Sequence, residues 1–277
     1  MSALLTLSQV SKSFGDVNAL DTIDLEINAG EVVGLVGSNG AGKTTLLRLM
    51  AGVYAPTAGT VLLADGKPVS KMRAALGVVP ESTGLYSRLT AWENIRYHSR
   101  MHGVADKDAW ARTAKFAEHL DMVDSLGRHT KGFSRGMRQK TALMRALAHG
   151  PSILLLDEPT AGLDITSART VRKLVNQLKN EGGTVVYSTH QLAEAQQVCD
   201  RIVIVHNGEI RADGPPKQLL EETEASTLEE AYVALTRDTA RPRQEENEKE
   251  GRFTGWWRSF FTPKPPAMPH QEVSSDE

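Results

Sequence analysis

The stretch GSNGAGKTT, from Gly37 to Thr45, decides the fold of this 277-residue chain. It matches the pattern GxxxxGK[ST], in which several backbone N–H groups converge on phosphate oxygens. Gly37, Gly40 and Gly42 permit the close approach and the left-handed conformations that a Cβ would prevent. Lys43 adds a positive charge beside them. The loop therefore predicts a binding site for the phosphates of a nucleoside triphosphate.

The sequence on either side of this loop supports the prediction. Residues 31–36, EVVGLV, are apolar and β-branched as in a buried strand, and residues 44–52, TTLLRLMAG, predict a helix. The positive N-terminal end of that helix would face the phosphates, and the Thr44 hydroxyl would ligate Mg²⁺. The other nucleotide contacts predicted in the loop are Ser38, Asn39, Ala41 and Thr45. The alternative, a glycine-rich turn with a lysine nearby, is disfavoured by the order strand, loop, helix.

Composition narrows the classes of partner. Lys+Arg number 32 and Asp+Glu 34, a formal net charge of -2, so no global field would attract nucleic acid, and none is predicted as a partner. The single cysteine, Cys199, has no disulfide partner, which predicts a reducing compartment and a buried apolar role. No apolar run approaches the roughly 20 residues that a membrane span needs, and the N-terminus is not typical of an export signal. We expect a cytoplasmic chain that reaches a membrane through a partner.

Two patterns predict strands. Alternating apolar and polar residues predict half-buried antiparallel strands at Leu4–Val10, Ile23–Ile27 and Thr60–Leu63. The run ILLLD (153–157) is wholly apolar, as in a buried parallel strand, and TVVYS (184–188) predicts another strand. Near the end, RIVIV and EIRADG flank Asn207-Gly208, which predicts a hairpin with a type I′ turn.

The middle of the chain has a helical pattern. TAWE (90–93) forms a predicted capping box, and Asp106 opens a further helix. One face of that helix is expected to carry Trp110, Thr113, Phe116, Ala117 and Leu120. Ser134 opens another helix, which HGP (149–151) ends. The chain from about residue 85 to about residue 150 is therefore predicted to form a helical subdomain.

The composition changes after about residue 238, and residues 239–277 predict a flexible C-terminal tail. Within the segment 252–262, the aromatic residues share one helical face: Phe253, Trp256, Trp257, Phe260 and Phe261. The segment is too short to be a stable helix alone, so it needs a surface to fold on. We consider contact with a membrane interface or partner, docking on the chain's own domain, and disorder.

ILLLDEP (153–159) carries the predicted hydrolytic chemistry. Asp157 and Glu158 stand at the end of a buried strand, where phosphate-loop proteins hold Mg²⁺ and act on a water. Asp157 would reach the metal, whereas Glu158 would polarise the attacking water as a general base. A solvated acidic strand end is the alternative, which the phosphate loop disfavours.

Three further motifs accompany ILLLDEP. FSRGMRQK (133–140) precedes it in the chain, and AGLD (161–164) and STH (188–190) come after it. Together with the loop and ILLLDEP they resemble the nucleotide-binding subunits of ABC transporters over residues 1 to about 220. The resemblance implies that Ser134 and Gly136 contact the γ-phosphate of ATP held by the opposite subunit. It also implies that Asp164 communicates across the dimer and that His190 is the switch histidine. The unpaired N–H groups of a helix N-terminus agree with an anion contact at Ser134.

One aromatic and two departures from the family pattern complete the site. Phe14 resembles the aromatic that stacks on adenine, the alternative being a core phenylalanine. The signature reads FSRGM, with Arg135 and Met137 in place of glycine and glutamine, and VVPES places Glu81 where the family has a glutamine. A carboxylate at that position can still act in catalysis by ligating Mg²⁺ or a water. These departures, with residues 84–103 and the stretch FSRGMRQKTALMRALAHGP (133–151), resemble the sodium-extrusion branch and related drug exporters.

The resemblance implies an α/β fold of the ABC ATPase type. We expect a P-loop NTPase (RecA-like) core with an antiparallel β-subdomain and a helical subdomain, within a cassette over residues 1–238. It further implies a homodimer or heterodimer that binds two ATP molecules and drives a transmembrane permease from the cytoplasmic face of the inner membrane. Sodium ions or drugs are the implied cargo.

Other functions are weighed beside this one. A soluble ABC ATPase acting on ribosomes or chromosomes usually has two cassettes or a long coiled coil, and this chain has one cassette and no sustained heptads. A nucleotide-binding regulator without turnover is the third hypothesis, raised by Glu81 and Arg135. A P-loop kinase or GTPase is weaker, because neither predicts a serine that caps a helix ahead of ILLLDEP, and the guanine-selecting NKxD run of a GTPase is absent.

Overall fold

The computed structural model describes residues 3–71 and 73–237, and two β-sheets organise them. A three-stranded antiparallel sheet has the order β2-β1-β4, and a six-stranded sheet has the order β5-β6-β7-β3-β8-β9. The strands are β1 (Ala3–Phe14), β2 (Val17–Asn28), β3 (Val32–Val36), β4 (Ala58–Leu63), β5 (Leu76–Val79), β6 (Ile153–Asp157), β7 (Thr184–Thr189), β8 (Arg201–His206) and β9 (Glu209–Gly214). The helices are α1 (Lys43–Met50), α2 (Ala91–Met101), α3 (Asp106–His119), α4 (Arg135–Leu147), α5 (Ile165–Asn180), α6 (Leu192–Val198), α7 (Pro216–Glu222) and α8 (Leu228–Thr236).

The six-stranded sheet is buried on both faces, which explains its apolar strands. Within β3, Val32 and Val36 belong to one hydrophobic cluster, whereas Val33 and Leu35 belong to a second on the opposite face. The pairs from β5 to β8 are parallel and only β9 runs antiparallel, at the edge. Parallel strands with two covered faces read as continuous apolar runs, as ILLLD does. The carboxyl ends of β3, β5, β6 and β7 therefore meet at one edge of the sheet.

The antiparallel predictions are confirmed. β1 pairs antiparallel with β2 and with β4, and Leu5 and Leu7 are buried on one face. Both strands extend beyond the predicted Leu4–Val10 and Ile23–Ile27. The predicted hairpin is also present, because β8 and β9 flank Asn207 and Gly208 at φ 50° and 80°. Positive φ at both positions is what a type I′ turn requires.

The helical predictions hold with one correction. The Thr90 hydroxyl accepts from the Glu93 amide and the Glu93 carboxylate accepts from the Thr90 amide, so the capping box at the start of α2 is confirmed. In α3, the predicted apolar face is buried at Thr113, Phe116 and Ala117, and Leu120 follows it. The prediction for Trp110 is wrong, because 45% of it is exposed.

Trp110 lies outside the buried stripe for a geometric reason. Its ring packs edge-on against Trp92 of α2, with centroids 4.8 Å apart at an interplanar angle of 80°. Two indole rings thus cover the outer side of the α2–α3 contact, where part of each stays in solvent.

Several predictions concern residues that the structure does not describe. The tail 239–277 and its aromatic segment 252–262 lie outside the described residues, and the domain boundary at 238 stays a prediction. Among the described residues, every helix is too short or too polar to cross a membrane.

Candidate functional site

The phosphate loop, Gly37 to Thr45, connects β3 to α1 at the carboxyl edge of the large sheet. A Cβ at Gly37 would overlap the Val205 carbonyl oxygen, and one at Gly42 would lie 2.8 Å from Leu20 Cδ2. Gly42 caps α1 with φ 111°, a conformation that L side chains rarely adopt. Gly40, at φ 80°, faces open space. The glycines therefore let the loop pack on β8 and β2 while its outer side stays accessible.

Lys43 lies inside the loop and beside an acid. It is 6% exposed, and its Nζ donates to the carbonyl oxygens of Gly37 (2.8 Å) and Ser38 (3.1 Å). The same Nζ lies 3.7 Å from Glu158 Oε1. Burial lowers the pKa of Lys43, and the charges of Glu158 and Asp157 oppose that shift. The loop and the ILLLDEP motif are thus in direct contact.

A hydroxyl and a carboxylate meet where a metal ligand set was predicted. Thr44 Oγ1 donates to Asp157 Oδ1 at 3.2 Å. Ser188 Oγ donates to the same oxygen at 2.8 Å and accepts from the Glu158 amide at 3.0 Å. Asp157 is 7% exposed, and hydrogen bonds from hydroxyls compensate its burial. These hard oxygen donors suit Mg²⁺.

Glu158 and His190 form a pair. His190 Nδ1 lies 2.9 Å from Glu158 Oε2, and only 13% of the Glu158 side chain is exposed. Glu158 has φ 46°, a left-handed conformation that is costly for a residue with a Cβ. Such strain occurs at functional sites, and here it follows the last residue of β6. The carboxylate is held between Lys43 on one side and His190 on the other.

Glu81 lies at the same edge of the sheet as the other charged residues of the site. It follows β5, which pairs with β6, so it comes to the same edge of the sheet as Asp157. Its side chain is exposed, and burial still lowers the pKa of Lys43 although the negative charge of Glu81, like those of Glu158 and Asp157, opposes that shift. This proximity is compatible with the predicted role at Mg²⁺ or water.

The signature residues lie together at the start of α4. Ser134 caps the helix, and its Oγ accepts from the Met137 amide at 3.1 Å. This corrects the expectation that the first amides of α4 are unpaired, because one of them is capped. Gly136 is buried, and a Cβ there would overlap Ser167 Oγ. The signature therefore packs on the start of α5.

Asp164 lies at the same place, at the start of α5. It caps α5, accepting from the Ser167 amide at 2.9 Å and from Ser167 Oγ at 2.7 Å. These hydrogen bonds lower the pKa of Asp164. A Cβ at Gly162 would overlap the Arg135 guanidinium, so the AGLD loop and the signature contact each other within one chain.

Phe14 lies at the end of β1. It is partly buried, and its ring packs edge-on against Tyr54 with centroids 5.3 Å apart. Lys12 Nζ lies 4.9 Å from the Phe14 centroid. One aromatic ring with a cation nearby and part of its surface accessible is compatible with base stacking.

Two residues of the site were not predicted. Tyr232 of α8 accepts through its OH from the Ser38 amide at 3.2 Å, so the last described helix contacts the phosphate loop. Glu194, 4% exposed, accepts from Thr160 Oγ1 (2.9 Å) and Thr189 Oγ1 (3.2 Å), behind Glu158 and His190. The sequence alone does not show that this glutamate is buried or which hydroxyls it contacts, so no sequence signal could have identified it.

The fold and the site define an ATPase with a P-loop. The chain belongs to the ABC transporter family, whose model matches residues 20–161. It is an ATP-binding subunit of the type that hydrolyses ATP in transport. The predicted fold class is thereby confirmed.

Three known proteins illustrate the similarity. The ABC transporter ATP-binding protein NatA of Bacillus subtilis is 40% identical over 83% of this chain and 97% of its own length. The Nod factor export ATP-binding protein I of Cupriavidus metallidurans is 32% identical over 91% of this chain and 85% of its own. The dimeric ATP-binding cassette MJ0796, solved in a post-hydrolysis state bound to ADP and Pi, has a TM-score of 0.70 at 27% identity, covering 76% of this chain and 98% of its own.

Proposed function

We propose that this chain powers an exporter by hydrolysing ATP in a head-to-tail dimer docked on a separate transmembrane permease, with Glu158 as the general base. The observation that supports it best is the continuous array of contacts from Thr44 through Asp157 and Ser188 to Glu158 and His190. Such an array orients several oxygen atoms at one edge of the sheet. Sodium ions or drugs are the cargo that the resemblance of residues 84–103 favours.

The phosphate loop holds ATP in this proposal. Its backbone N–H groups and Lys43 bind the phosphates, and the positive end of α1 adds to the attraction. Thr44, Asp157 and Glu81 would hold Mg²⁺, which neutralises phosphate charge when bound. Phe14 stacks on the adenine ring. Lys43 is already buried beside the loop, so little reorganisation is needed to present its charge.

Glu158 and His190 act on the attacking water. Glu158 accepts the water's proton as the nucleophile approaches the γ-phosphate, and His190 orients the carboxylate through the 2.9 Å contact. Asp157 has a different part in this proposal, because its Oδ1 already accepts from the Thr44 and Ser188 hydroxyls and faces the proposed Mg²⁺ position. The two adjacent carboxylates therefore have different roles.

A second copy of the chain completes each site. Ser134 and Gly136 approach the γ-phosphate bound by the partner, and Asp164 carries the signal between the two sites. Within one chain the contact of Gly136 and Asp164 with Ser167 links both elements mechanically. A two-fold dimer then contains two equivalent composite sites.

The first experiment tests the base. Glu158→Gln should lower ATP turnover by about 100-fold or more, within the range for loss of a general base, and should retain ATP in a stable dimer seen by size-exclusion chromatography. Glu118→Gln, an exposed exchange of the same kind in α3, should keep wild-type turnover and monomer–dimer behaviour. Undiminished turnover in Glu158→Gln would remove Glu158 from this role.

The second experiment tests the permease. A polytopic membrane protein encoded by a neighbouring reading frame should co-purify with this chain in detergent and stimulate its ATPase activity. Transport into inverted vesicles with sodium ions and then with a panel of drugs identifies the cargo. If no membrane protein co-purifies with the chain, and the neighbouring membrane protein leaves its ATP turnover unchanged, the soluble ATPase hypothesis is favoured instead.

A further inference from the structure

Three histidines outside the nucleotide site lie side by side in the helical region. His98 and His102 stand one helical turn apart, in HSRMH, at the C-terminal end of α2. His149 follows α4, in the turn that Gly150 closes at φ 75°. Two elements that are distant in sequence therefore direct three imidazoles to one place.

The three rings are close enough to share a ligand. One ring nitrogen from each histidine can be chosen so that all three lie within 4.8 Å of one another. The ring centroids of His102 and His149 are 4.1 Å apart, and those of His98 and His102 are 4.7 Å apart. Two histidines at i and i+4 on one helix face are also the spacing of the HExxH zinc motif.

The hydrogen bond of His149 leaves one of its ring nitrogens without a partner among the described residues. Its Nε2 lies 3.1 Å from the Leu76 carbonyl oxygen, so Nε2–H donates and Nδ1 carries the lone pair. That Nδ1 is buried without a hydrogen-bond partner among the described residues, and His149 is only 7% exposed. The Nδ1 of His98 is buried and unpartnered in the same way. Buried nitrogens of this kind are costly unless something binds them.

We propose that His98, His102 and His149 bind a divalent transition-metal ion of the Zn²⁺ class. Imidazole nitrogen suits Zn²⁺, Co²⁺ and Ni²⁺, whereas Mg²⁺ and Ca²⁺ prefer oxygen ligands, which this cluster does not offer. A ligating histidine that donates its other N–H to a backbone carbonyl is the usual outer-shell arrangement, and His149 has it through Leu76. Three protein ligands leave a fourth tetrahedral position for water.

Binding requires a modest rearrangement. At a Zn–N distance of about 2.05 Å, tetrahedral ligand nitrogens lie about 3.3 Å apart. The widest gap must therefore close by about 1.5 Å. The rings of His102 and His149 are nearly parallel, at 12°, so one must turn before both can point at one ion. His102 is half-exposed at the end of α2 and is the ring free to do so.

The surrounding charges are compatible with neutral imidazoles. Arg145 and Arg112 face the cluster, and they donate to the carbonyl oxygens of Gly84 and Ala148 respectively. Burial, helped by these charges and by the neighbouring rings, lowers the pKa of His98 to about 3 and that of His149 to about 4. A metal ion would thus meet unprotonated ligands at neutral pH and would need no proton release.

The location gives the site a structural consequence. Metal binding would link the end of α2 to the end of α4 and, through Leu76, to the start of β5. Arg145 of α4 also donates to the carbonyls of Thr83 and Gly84, just after Glu81. The ion would therefore brace the helical region against the strand and loop that carry Glu81, and it would raise the melting temperature.

The test uses the full chain without an affinity tag. After dialysis against a chelator, the protein is titrated with Co²⁺ in excess Mg²⁺, so that oxygen-rich sites are filled, and visible absorption is recorded. We expect one equivalent of Co²⁺ with a tetrahedral spectrum and a higher melting temperature with Zn²⁺. His102→Gln should weaken binding by at least about 100-fold, the upper end of what loss of an outer-shell partner costs.

Two further variants make the result decisive. His98→Gln should lose the same signal, whereas His119→Gln, an exposed histidine of α3, should keep it. If His102→Gln unfolds, His98→Gln carries the comparison. Absence of a tetrahedral spectrum in the wild type, or equal spectra in His102→Gln and His119→Gln, would overturn the site and leave neutral imidazoles packed against each other. This outcome is independent of ATP turnover, which the cluster does not touch.

Discussion

At the scale of single residues, one hydroxyl organises two carboxylates. Ser188 is fully buried in β7, donates to Asp157 and accepts from the Glu158 amide. Removing it takes from Asp157 Oδ1 one of its two hydroxyl donors, Thr44 being the other, and leaves the Glu158 amide without its hydrogen bond. Because the two carboxylates have separate roles in the proposed hydrolysis, loss of this hydroxyl should lower both the free energy of unfolding and the rate of ATP turnover.

Ser188→Ala should therefore destabilise the protein by about 1–3 kcal/mol, the cost of an unsatisfied buried polar group, and should lower kcat at least about 10-fold. Urea unfolding and an ATPase assay measure the two effects. Ser99→Ala is the matched control, because Ser99 is equally buried and its Oγ has no hydrogen-bond partner among the described residues. That control should be neutral or stabilising. Equal losses in both variants would contradict the role of Ser188.

Tyr232 makes a second prediction of this kind. Its OH accepts from the Ser38 amide, so Tyr232→Phe leaves the phosphate loop short of one hydrogen bond at almost unchanged volume. We expect a loss of about 1 kcal/mol in stability and a KM for ATP raised several-fold with little change in kcat. Tyr97→Phe removes the hydroxyl of a half-exposed tyrosine and should leave both values unchanged. A KM at the wild-type value in Tyr232→Phe would mean that this contact does not position the loop.

The site residues that the sequence predicts lie in short contiguous motifs, and those that it does not predict are far apart in the chain. Gly37, Lys43, Asp157 and Glu158 belong to short motifs whose chemistry can be understood from residue type and spacing. Tyr232 contacts Ser38 across 194 positions of the chain, and no local pattern marks such a pair. The same limit applies to Glu194, which accepts from the Thr160 hydroxyl 34 positions away.

At the scale of elements, the sequence predicts where helices begin better than it predicts where strands end. The capping box of α2 was predictable because Thr90 and Glu93 are three positions apart and precede a helical pattern. Strand lengths were not, because β1 and β2 continue past the alternating segment as a paired ribbon. Trp110 was misplaced for a related reason: periodicity gives the side of a helix, whereas the neighbouring α2 decides how deep that side is buried.

The capping box predicts a pH dependence. Hydrogen bonds from the Thr90 amide and hydroxyl lower the pKa of Glu93 from its ordinary 4.5. A lowered carboxylate pKa gives stability that is complete above the unfolded value and is lost as pH falls through the folded value. Glu93→Gln keeps an acceptor but removes the charge. Its melting temperature should therefore fall below the wild type at pH 7, with the difference shrinking as the pH falls below 4.5.

Paired melting curves from pH 7 to strongly acidic buffer check this trend. Glu118→Gln serves as the control, because Glu118 is an exposed glutamate of α3 and belongs to no capping box. A difference between Glu93→Gln and wild type that stayed constant with pH would show that the box acts through shape alone.

At the scale of the whole molecule, the catalytic parts lie on two surfaces. Lys43, Asp157 and Glu158 cluster at the carboxyl edge of the sheet, whereas Ser134 caps α4, whose Gly136 packs on the start of α5. Two-fold symmetry can bring the second surface of one copy to the first surface of another. This arrangement can be tested by cysteine cross-linking. Cys199 is the only native cysteine, and burial raises the pKa of its thiol to about 12.

A chain with Asn39→Cys, Ser134→Cys and Glu158→Gln should thus be joined to a second copy by a short bifunctional maleimide. ATP should be required, because it brings the phosphate loop of one chain to the signature of the other, and ADP should give far less product. The dimer band on a reducing denaturing gel measures the reaction, and its background is low because Cys199 reacts slowly. Chains carrying only one of the two new cysteines serve as controls and should stay monomeric on the gel. Equal cross-linking with ATP and ADP, or in the single-cysteine chains, would argue against a composite site, because only nucleotide-driven head-to-tail pairing aligns these two positions.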